Sequence, residues 1–413
     1  YPMFYTMSVI QYFTRLLRQK NMKRFKNEYE NVNAVQDILE SQNTYEKILK
    51  FKSYGDRMSN CRIFLFDEEF SNFDSSFKNQ RFGQCEIIGV GDYTKTWILD
   101  SNHISDNSLV LAGKTIDFDL NILSYLNRIM VGRKINIDEK TFMQFLNYLK
   151  TKGFQYGIMT ALMERVKTPI NLNILSEMIT SFVKFENMPL ISEDCTDFYL
   201  SPNDYIRIKD IYDTALSQTD EKFKIFDALC CCVMKAFLIK NYEGGLDKEE
   251  KVEKFIKFCL DDLNCYLEKE IVILSLYIND DSRTHKTFKK LKGNPDIIKN
   301  ILNVTWDIYH IRLLEQIMFL DNIKNRDLVI LSYFATADNG IIDAMKINPI
   351  KAFVIIDDYS ISIHQLNIEN ICNNKELLED AYYNTNVRSN KIKSINFLDL
   401  RQKLEHEILE FVK

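Results

Sequence analysis

Four acidic residues stand out because they lie in largely apolar surroundings at distant points of the chain. They are Asp119, Glu164, Asp307 and Asp338. An ionised carboxylate is rarely buried without a partner. Carboxylates from separate segments can share one cavity when Mg²⁺ or Mn²⁺ holds them, because these ions prefer oxygen ligands. The residue types therefore predict metal-assisted hydrolysis at a shared site.

The segment around Asp119 predicts how that carboxylate is positioned. Ile116 and Phe118 alternate with acidic residues, which is the period-2 pattern of a strand. Apolar residues then recur at helical spacing, and Asn121 is expected to cap this helix because its side-chain oxygen can accept from exposed amides. A carboxylate between a strand and a helix lies at the carboxyl edge of an α/β sheet, where ligands usually bind.

Asp119 and Glu164 each have a purely structural explanation as well. Asp119 fits the role of a helix cap or turn carboxylate. Glu164 fits a surface helix residue that pairs with Arg165 or Lys167. Both explanations stay open at the level of sequence.

Asp307 and Asp338 have structural explanations of their own. Asp307 could form a buried ion pair with Arg312. Asp338 begins Asp-Asn-Gly, which is a strong turn sequence. His310 follows Asp307 by one helical turn, and core packing or support of a neighbouring ligand explains it better than metal binding.

Three further acids compete for the same roles. Asp117 lies two residues before Asp119 on the same strand face, and Asp100 also follows an apolar run. Asp327 precedes an apolar run and competes with Asp307. Asp119 is preferred because an amphipathic helix follows it, and Asp307 because apolar neighbours embed it in a helix.

The composition is that of an ordinary globular protein with room for two or three domains. The chain has 413 residues, of which 46% are hydrophobic and 27% are charged. Glycine (12) and proline (6) are scarce, which favours long helices over tight turns. The net charge is only −5, so a nucleic-acid partner would need a local basic patch.

Several classes of protein are disfavoured by what the sequence lacks. The nine cysteines show no paired spacing, and the adjacent Cys230, Cys231 and Cys232 are expected to be buried apolar residues in a reducing cytoplasm. No apolar run is long enough to predict a membrane span. An NTP-dependent enzyme is disfavoured because there is no GxxxxGK[ST] loop.

Periodicity predicts a helix-rich α/β protein in five segments. Residues 1–57 are predicted to be helical, 58–112 to be short strands that precede or join the sheet in an N-terminal α+β region, and 170–299 to be an all-α insertion. Residues 113–169 and 300–413 are predicted to contain strands and helices, with a helix at the C-terminus.

Residues 113–168 and 300–360 resemble the PIN-like nuclease domain. That family opens with a strand that ends in an Asp-x-Asn-x-x-Ser-like motif. It has further acids on later helices and a Thr-x-Asp-like strand end. The matching residues are Asp119, Asn121, Ser124, Glu164, Asp307, Thr336 and Asp338.

The resemblance implies that residues 113–169 and 300–413 are two parts of one domain, with a mainly parallel sheet flanked by helices and a site that binds one or two Mg²⁺ or Mn²⁺ ions. Asp119 and Asp338 would be the principal ligands, and Glu164 and Asp307 would complete the cluster directly or through water. The ions would activate water against a phosphodiester. Clustered carboxylates repel one another, so binding of either ion is expected to raise the melting temperature.

The family's remaining features imply the substrate and the partners. Asn121, Ser124 and Thr336 would orient the ligands or the phosphate. The substrate would be nucleic acid, RNA rather than DNA, cut in the cytoplasm by a toxin-like or defence effector. The helical insertion would serve substrate access, regulation or assembly, with a homo-oligomer or a regulatory protein partner left open.

A hypothesis from a different class is a non-catalytic helical scaffold or protein-interaction module whose α/β portion is only structural. It predicts that the four acids are scattered in space or separately salt-bridged. The two hypotheses therefore differ in one observable, which is the distance between these carboxylates.

Overall fold

The computed structural model describes most of the chain. The described residues are 4–5, 33–58, 60–73, 79–101, 110–167, 171–191, 198–217, 220–292, 296–325, 327–357 and 359–412. Much of the predicted N-terminal helical segment, residues 1–57, therefore lies outside the described residues.

Ten strands are described. They are β1 (Phe4–Tyr5), β2 (Cys61–Leu65), β3 (Gln80–Phe82), β4 (Cys85–Gly89), β5 (Trp97–Asp100), β6 (Ala112–Phe118), β7 (Gln155–Gly157), β8 (Val329–Thr336), β9 (Ile350–Ile356) and β10 (Tyr359–His364). They form two five-stranded sheets. The site sheet has the order β3-β4-β8-β6-β7, and the second sheet has the order β1-β10-β9-β2-β5.

Fifteen helices are described. They are α1 (33–39), α2 (Thr44–Tyr54), α3 (Leu120–Met130), α4 (Glu139–Thr151), α5 (Met159–Lys167), α6 (Leu172–Asn187), α7 (Pro202–Leu216), α8 (Asp220–Tyr242), α9 (Lys248–Lys257), α10 (Glu268–Ile278), α11 (Ile297–Lys324), α12 (Asn339–Met345), α13 (Lys375–Tyr383), α14 (Thr385–Lys391) and α15 (Phe397–Val412). Within those ranges, no helix combines the length and apolar character that crossing a bilayer requires.

The protein is thus a helix-rich α/β protein, but its sheets are mixed. In the site sheet β6 pairs parallel with β8 and β7, whereas β4 pairs antiparallel with β3 and β8. In the second sheet only the β1–β10 pairing is parallel among the described strands. The prediction of a mainly parallel sheet therefore holds for β7-β6-β8 and for the β1–β10 pair, and it is wrong for the other described pairings. Connections as short as those between β3 and β4 or β9 and β10 permit only antiparallel pairing.

The predicted segments do not coincide with the packing units. β2 and β5, from residues 58–112, join the second sheet with β9 and β10, while β3 and β4 join the site sheet. Helix α15 packs against α8, within the helical segment, and not on a sheet. The helical character of residues 170–299 agrees with the prediction. Local periodicity identifies strands and helices, whereas their partners depend on contacts far along the chain.

The second sheet separates two hydrophobic cores because successive side chains point to opposite faces. Phe64 and Phe353 belong to the core that also contains Ile116 and Phe118 of the site sheet. Their strand neighbours Ile63 and Val354 belong to a separate core against helices α1 and α2. Both faces of β2 and β9 are therefore buried, which explains their continuous apolar sequences.

The long helix α11 links the helical segment to the sheets. Arg312 on α11 forms an ion pair with Glu270 on α10, with 2.6 Å between Nη2 and Oε2. Three residues later, Glu315 accepts from Lys269 at 2.8 Å and from Ser362 of β10 at 3.0 Å. These buried charges are paired from both sides, so they fix the position of α11.

The three adjacent cysteines lie inside the helical segment. Cys230, Cys231 and Cys232 are all buried in α8. Cys232 Sγ lies 3.8 Å from Cys259 Sγ, and both thiols are free. Their burial agrees with the prediction that they serve as small apolar residues.

Candidate metal-dependent active site

Two neighbouring parallel strands end in carboxylates at the same edge of the site sheet. Asp119 follows β6 and Asp338 follows β8. Asp119 caps α3 by accepting from the Ile122 amide at 2.6 Å, and Asp338 caps α12 by accepting from the Gly340 amide at 2.7 Å. Parallel pairing therefore places both groups where α/β proteins usually bind ligands.

The prediction that Asn121 caps α3 is wrong. The extended backbone of Asp119 ends the strand, and its side chain already reaches the amide of Ile122. Asn121 is exposed in the first turn. Asp119 therefore caps α3 through Oδ1, while its Oδ2 atom accepts from other residues.

Thr336 connects the two strand ends. Its hydroxyl donates to Asp119 Oδ2 at 2.5 Å and accepts from the Asp338 amide at 2.9 Å. Ala337 donates a backbone hydrogen bond to the same Asp119 oxygen at 3.2 Å. The position predicted to orient a ligand does hold the Asp119 carboxylate in place.

Ser124 does not contact this group among the described residues. Its hydroxyl donates to the Leu120 carbonyl at 2.6 Å, within its own helix. Together with the exposure of Asn121, this leaves two of the three predicted orienting side chains without a described contact to the carboxylates.

Glu164 enters the same neighbourhood from α5, which follows β7. Burial, followed by the charges of Asp119, Asp307 and Asp338, raises the pKa of Glu164 to about 8. The Glu164 side chain is 24% exposed, so this end of the group is open to solvent. The predicted surface pair with Lys167 is wrong, since Lys167 binds Asp227 at 2.7 Å.

Asp307 approaches from α11. Its Oδ2 atom is buried and has no hydrogen-bond partner among the described residues. Burial and the charge of Asp338 raise the pKa of Asp307 to about 7. The alternative pair with Arg312 is wrong, because Arg312 binds Glu270 instead.

Gly340 is the residue that lets Asp307 and Asp338 approach each other. A Cβ atom at position 340 would collide with Asp307 Oδ2 and would lie 3.0 Å from Asp338 Oδ1. In the sequence, the Asp-Asn-Gly tripeptide predicts only a turn and does not indicate this close approach. The glycine leaves space for two carboxylates beside the end of β8.

His310 completes the group. Its ring is buried, and Nε2 lies 3.6 Å from Glu164 Oε2. Burial lowers the pKa of His310 to about 4, so the ring is neutral at physiological pH. Neither ring nitrogen has a hydrogen-bond partner among the described residues.

The carboxylates are close enough for their charges to interact, yet they are farther apart than the ligands of one bound metal ion. No three His, Cys, Asp or Glu side chains among the described residues already form a metal-holding group. The charges of Asp119, Asp307 and Asp338 nevertheless all raise the pKa of Glu164, so these three acids lie within electrostatic range of it. Like charges repel one another, which explains why the carboxylates are near one another but not in contact. A bound cation would draw them closer.

The residues present fit a divalent cation. The donor set is rich in carboxylate oxygens, which suit Mg²⁺ and Mn²⁺. Asp307 Oδ2 is an unsatisfied buried acceptor. None of the four acids forms an ion pair with Lys or Arg within 4 Å in the described part of the chain. The geometry therefore does not match the scattered or salt-bridged acids that a purely structural role predicts.

The three rival acids lie in other environments. Asp117 accepts hydrogen bonds from the Thr160 hydroxyl and amide. Asp100 forms a buried ion pair with Arg62, with 2.7 Å between Oδ2 and Nη2. Asp327 is exposed just before β8. Of these three, Asp117 is the one near the group, two residues before Asp119 in the chain.

A basic ridge lies beside the carboxylates and was missed at the level of sequence. We define it as Lys286, Lys289, Lys290 and Lys292, all exposed on and around the short helical turn Thr287–Leu291. This turn packs on α11 and α12, and its Phe288 and Leu291 side chains are buried. The charge of Lys290 lowers the pKa of Asp307, against the larger effect of burial.

The chain matches no protein-family model, and neither curated proteins nor solved structures give a match.

Proposed function

We propose that this chain is a metal-dependent nuclease with a PIN-like arrangement of acids and a large helical insertion. The observation that carries the proposal is the convergence of Asp119, Glu164, Asp307 and Asp338, which come from four different elements. Convergence of acids without a cationic side chain is costly unless an ion binds there. RNA is the favoured substrate, with DNA as the alternative.

Each side chain then has a task. Asp119 and Asp338 would hold Mg²⁺ or Mn²⁺ from adjacent strand ends, and Glu164 and Asp307 would complete the ligands. A bound ion supplies a water of lowered pKa and stabilises negative charge on the phosphate. Thr336 keeps Asp119 Oδ2 in one orientation through its 2.5 Å hydrogen bond. Because the Glu164 side chain is partly exposed, a phosphodiester could reach the carboxylates from that side.

Cleavage of labelled single- and double-stranded RNA and DNA tests this function. We expect no cleavage in EDTA and cleavage that saturates as Mg²⁺ or Mn²⁺ is added. Product sizes should show internal or stepwise cutting of the phosphodiester chain. Equal cleavage in EDTA and in Mn²⁺ would contradict the proposal, as would inertness toward all four substrates with both ions.

The basic ridge supports a polyanionic substrate over a small phosphate ester. The four lysines project next to α11 and α12, which present Asp307 and Asp338. No ion pair within 4 Å engages them among the described residues. A nucleic-acid backbone that crosses the ridge would therefore pass beside the carboxylates, and its phosphates would release bound counterions.

Replacing Lys286, Lys289 and Lys290 by Gln is expected to weaken binding of a labelled 20-nucleotide RNA. Each lost contact to a single strand lowers the slope of log affinity against log salt by about 0.7, so the slope should fall by about 2. Fluorescence anisotropy over a salt series, with Ca²⁺ in place of Mg²⁺, measures this without depending on cleavage.

The matched control replaces three exposed lysines near the C-terminus by Gln, Lys391, Lys393 and Lys403. This variant loses the same net charge but should keep the wild-type salt slope. A similar loss of affinity in both triple variants would show that only net charge matters. The ridge would then have no specific part in binding.

A further inference from the structure

His310 is unusual because it is a buried imidazole whose nitrogens are both unpaired among the described residues. Leaving such a buried polar atom without a partner is energetically unfavourable. The Trp306 and Phe334 rings lie 5.5 Å and 5.6 Å from the imidazole, so apolar packing holds the ring in place. Glu164 faces Nε2 of the ring, and the charge of Asp338 also acts on His310.

The separation between His310 Nε2 and Glu164 Oε2 is informative. At 3.6 Å it is too long for a hydrogen bond. Two atoms that each bind one ion at about 2.1 Å lie roughly 3 to 3.5 Å apart in octahedral or tetrahedral coordination. A small inward movement would therefore let both atoms share an ion. Position 310 is also one helical turn from Asp307, on the same face of α11.

We propose that His310 supplies a nitrogen ligand to the ion that the carboxylates hold, and that the site therefore prefers Mn²⁺ to Mg²⁺. This inference rests on the proposed metal site. Imidazole nitrogen is a good ligand for first-row transition ions, whereas Mg²⁺ and Ca²⁺ favour oxygen ligands alone. The site would therefore bind Mn²⁺ more tightly than Mg²⁺, and His310 would act as one of the ligands.

Two measurements on the whole chain test the inference. In wild-type protein loaded with Mn²⁺, electron spin-echo spectroscopy should show modulation from an imidazole ¹⁴N nucleus. Calorimetric titration should give Mn²⁺ an affinity at least about tenfold above that of Mg²⁺. His310→Gln should remove the ¹⁴N modulation and lower Mn²⁺ affinity about 10- to 100-fold, with less than a threefold change for Mg²⁺.

The outcomes separate this inference from the proposed function. If Mn²⁺ binds but the wild-type spectrum lacks ¹⁴N modulation, His310 is not a ligand, and the carboxylate site still stands. If the modulation is present but no nucleic acid is cut, the nuclease proposal fails and the ligand assignment stands. Equal loss of both ions in His310→Gln contradicts the selectivity. The wild-type spectrum decides the assignment even if the variant does not fold.

Discussion

An Asp119→Asn variant is expected to lose phosphodiester cleavage by about 10³-fold while keeping its fold. Asparagine retains one oxygen that can accept from Ile122, so the cap of α3 survives, whereas its amide nitrogen cannot accept from Thr336 and Ala337 as Oδ2 does. It loses the negative charge that would bind the ion between the ends of β6 and β8. A loss of about 4 kcal/mol of transition-state stabilisation corresponds to this factor. Single-turnover cleavage at saturating Mn²⁺ measures it.

Asp321→Asn is the matched control for this experiment. Asp321 is a partly buried carboxylate on α11 with a raised pKa, but it accepts from Thr115 at 2.8 Å and lies outside the four-acid group. Its substitution should leave cleavage within about threefold of wild type. Full activity in Asp119→Asn, together with loss in Asp117→Asn, would move the site two residues back, to Asp117 on β6.

The second large effect is on stability. Saturating Mn²⁺ is expected to stabilise the folded protein by about 2.7 kcal/mol at 100 times its dissociation constant. At one fixed Mn²⁺ concentration the increment should be larger at pH 8 than at pH 6, because protons compete for the same carboxylates and weaken Mn²⁺ binding at the lower pH. The pKa values of about 6 for Asp119, about 7 for Asp307 and about 8 for Glu164 define this window.

Without an added ion, the contribution of these carboxyl groups to stability changes with pH in the opposite direction. Carboxyl groups whose pKa is raised in the folded state bind protons more tightly there than in the unfolded chain. Their contribution to stability is full below the unfolded pKa, near 4, and is lost as pH rises through 6 to 8. Urea unfolding in EDTA and in Mn²⁺ at pH 6, 7 and 8 gives both trends.

Asp119→Asn is the control for the stability series. It removes one ligand and should reduce the Mn²⁺ increment at every pH. The difference between the Mn²⁺ and EDTA curves isolates the four-acid group from other buried acids such as Asp117, whose pKa is also raised, to about 7. An Mn²⁺ increment that is equal at pH 6 and pH 8 would be evidence against binding by these carboxylates.

Local elements of the fold could be predicted from sequence, whereas their assembly could not. The closing helix Phe397–Val412 and the strand over Ala352–Ile356 follow from apolar periodicity, and both are present. Strand β7, which contains Tyr156, has only three residues and is too short to show a period. The two-sheet division depends on pairing between residues hundreds of positions apart, such as Phe64 with Phe353.

For the candidate site, too, the sequence predicts individual residues better than their contacts in the folded chain. Acids in apolar sequence were recognisable because charge is costly to bury, and Asp119, Glu164, Asp307 and Asp338 do lie together. The distant supporting residues were not recognisable. Gly340 matters only because Asp307 lies against it, and the ridge lysines matter only because their turn packs on α11 and α12. Such roles come from tertiary proximity, which periodicity does not encode.

The most direct measurement of the central claim is anomalous X-ray scattering from crystals soaked in Mn²⁺. We predict a peak about 2.2 Å from oxygens of at least two of the residues Asp119, Glu164, Asp307 and Asp338. The peak should vanish in crystals of Asp119→Asn. Strong Mn²⁺ peaks elsewhere, with none between the ends of β6 and β8 at saturating Mn²⁺, would contradict the claim that these carboxylates bind a metal ion.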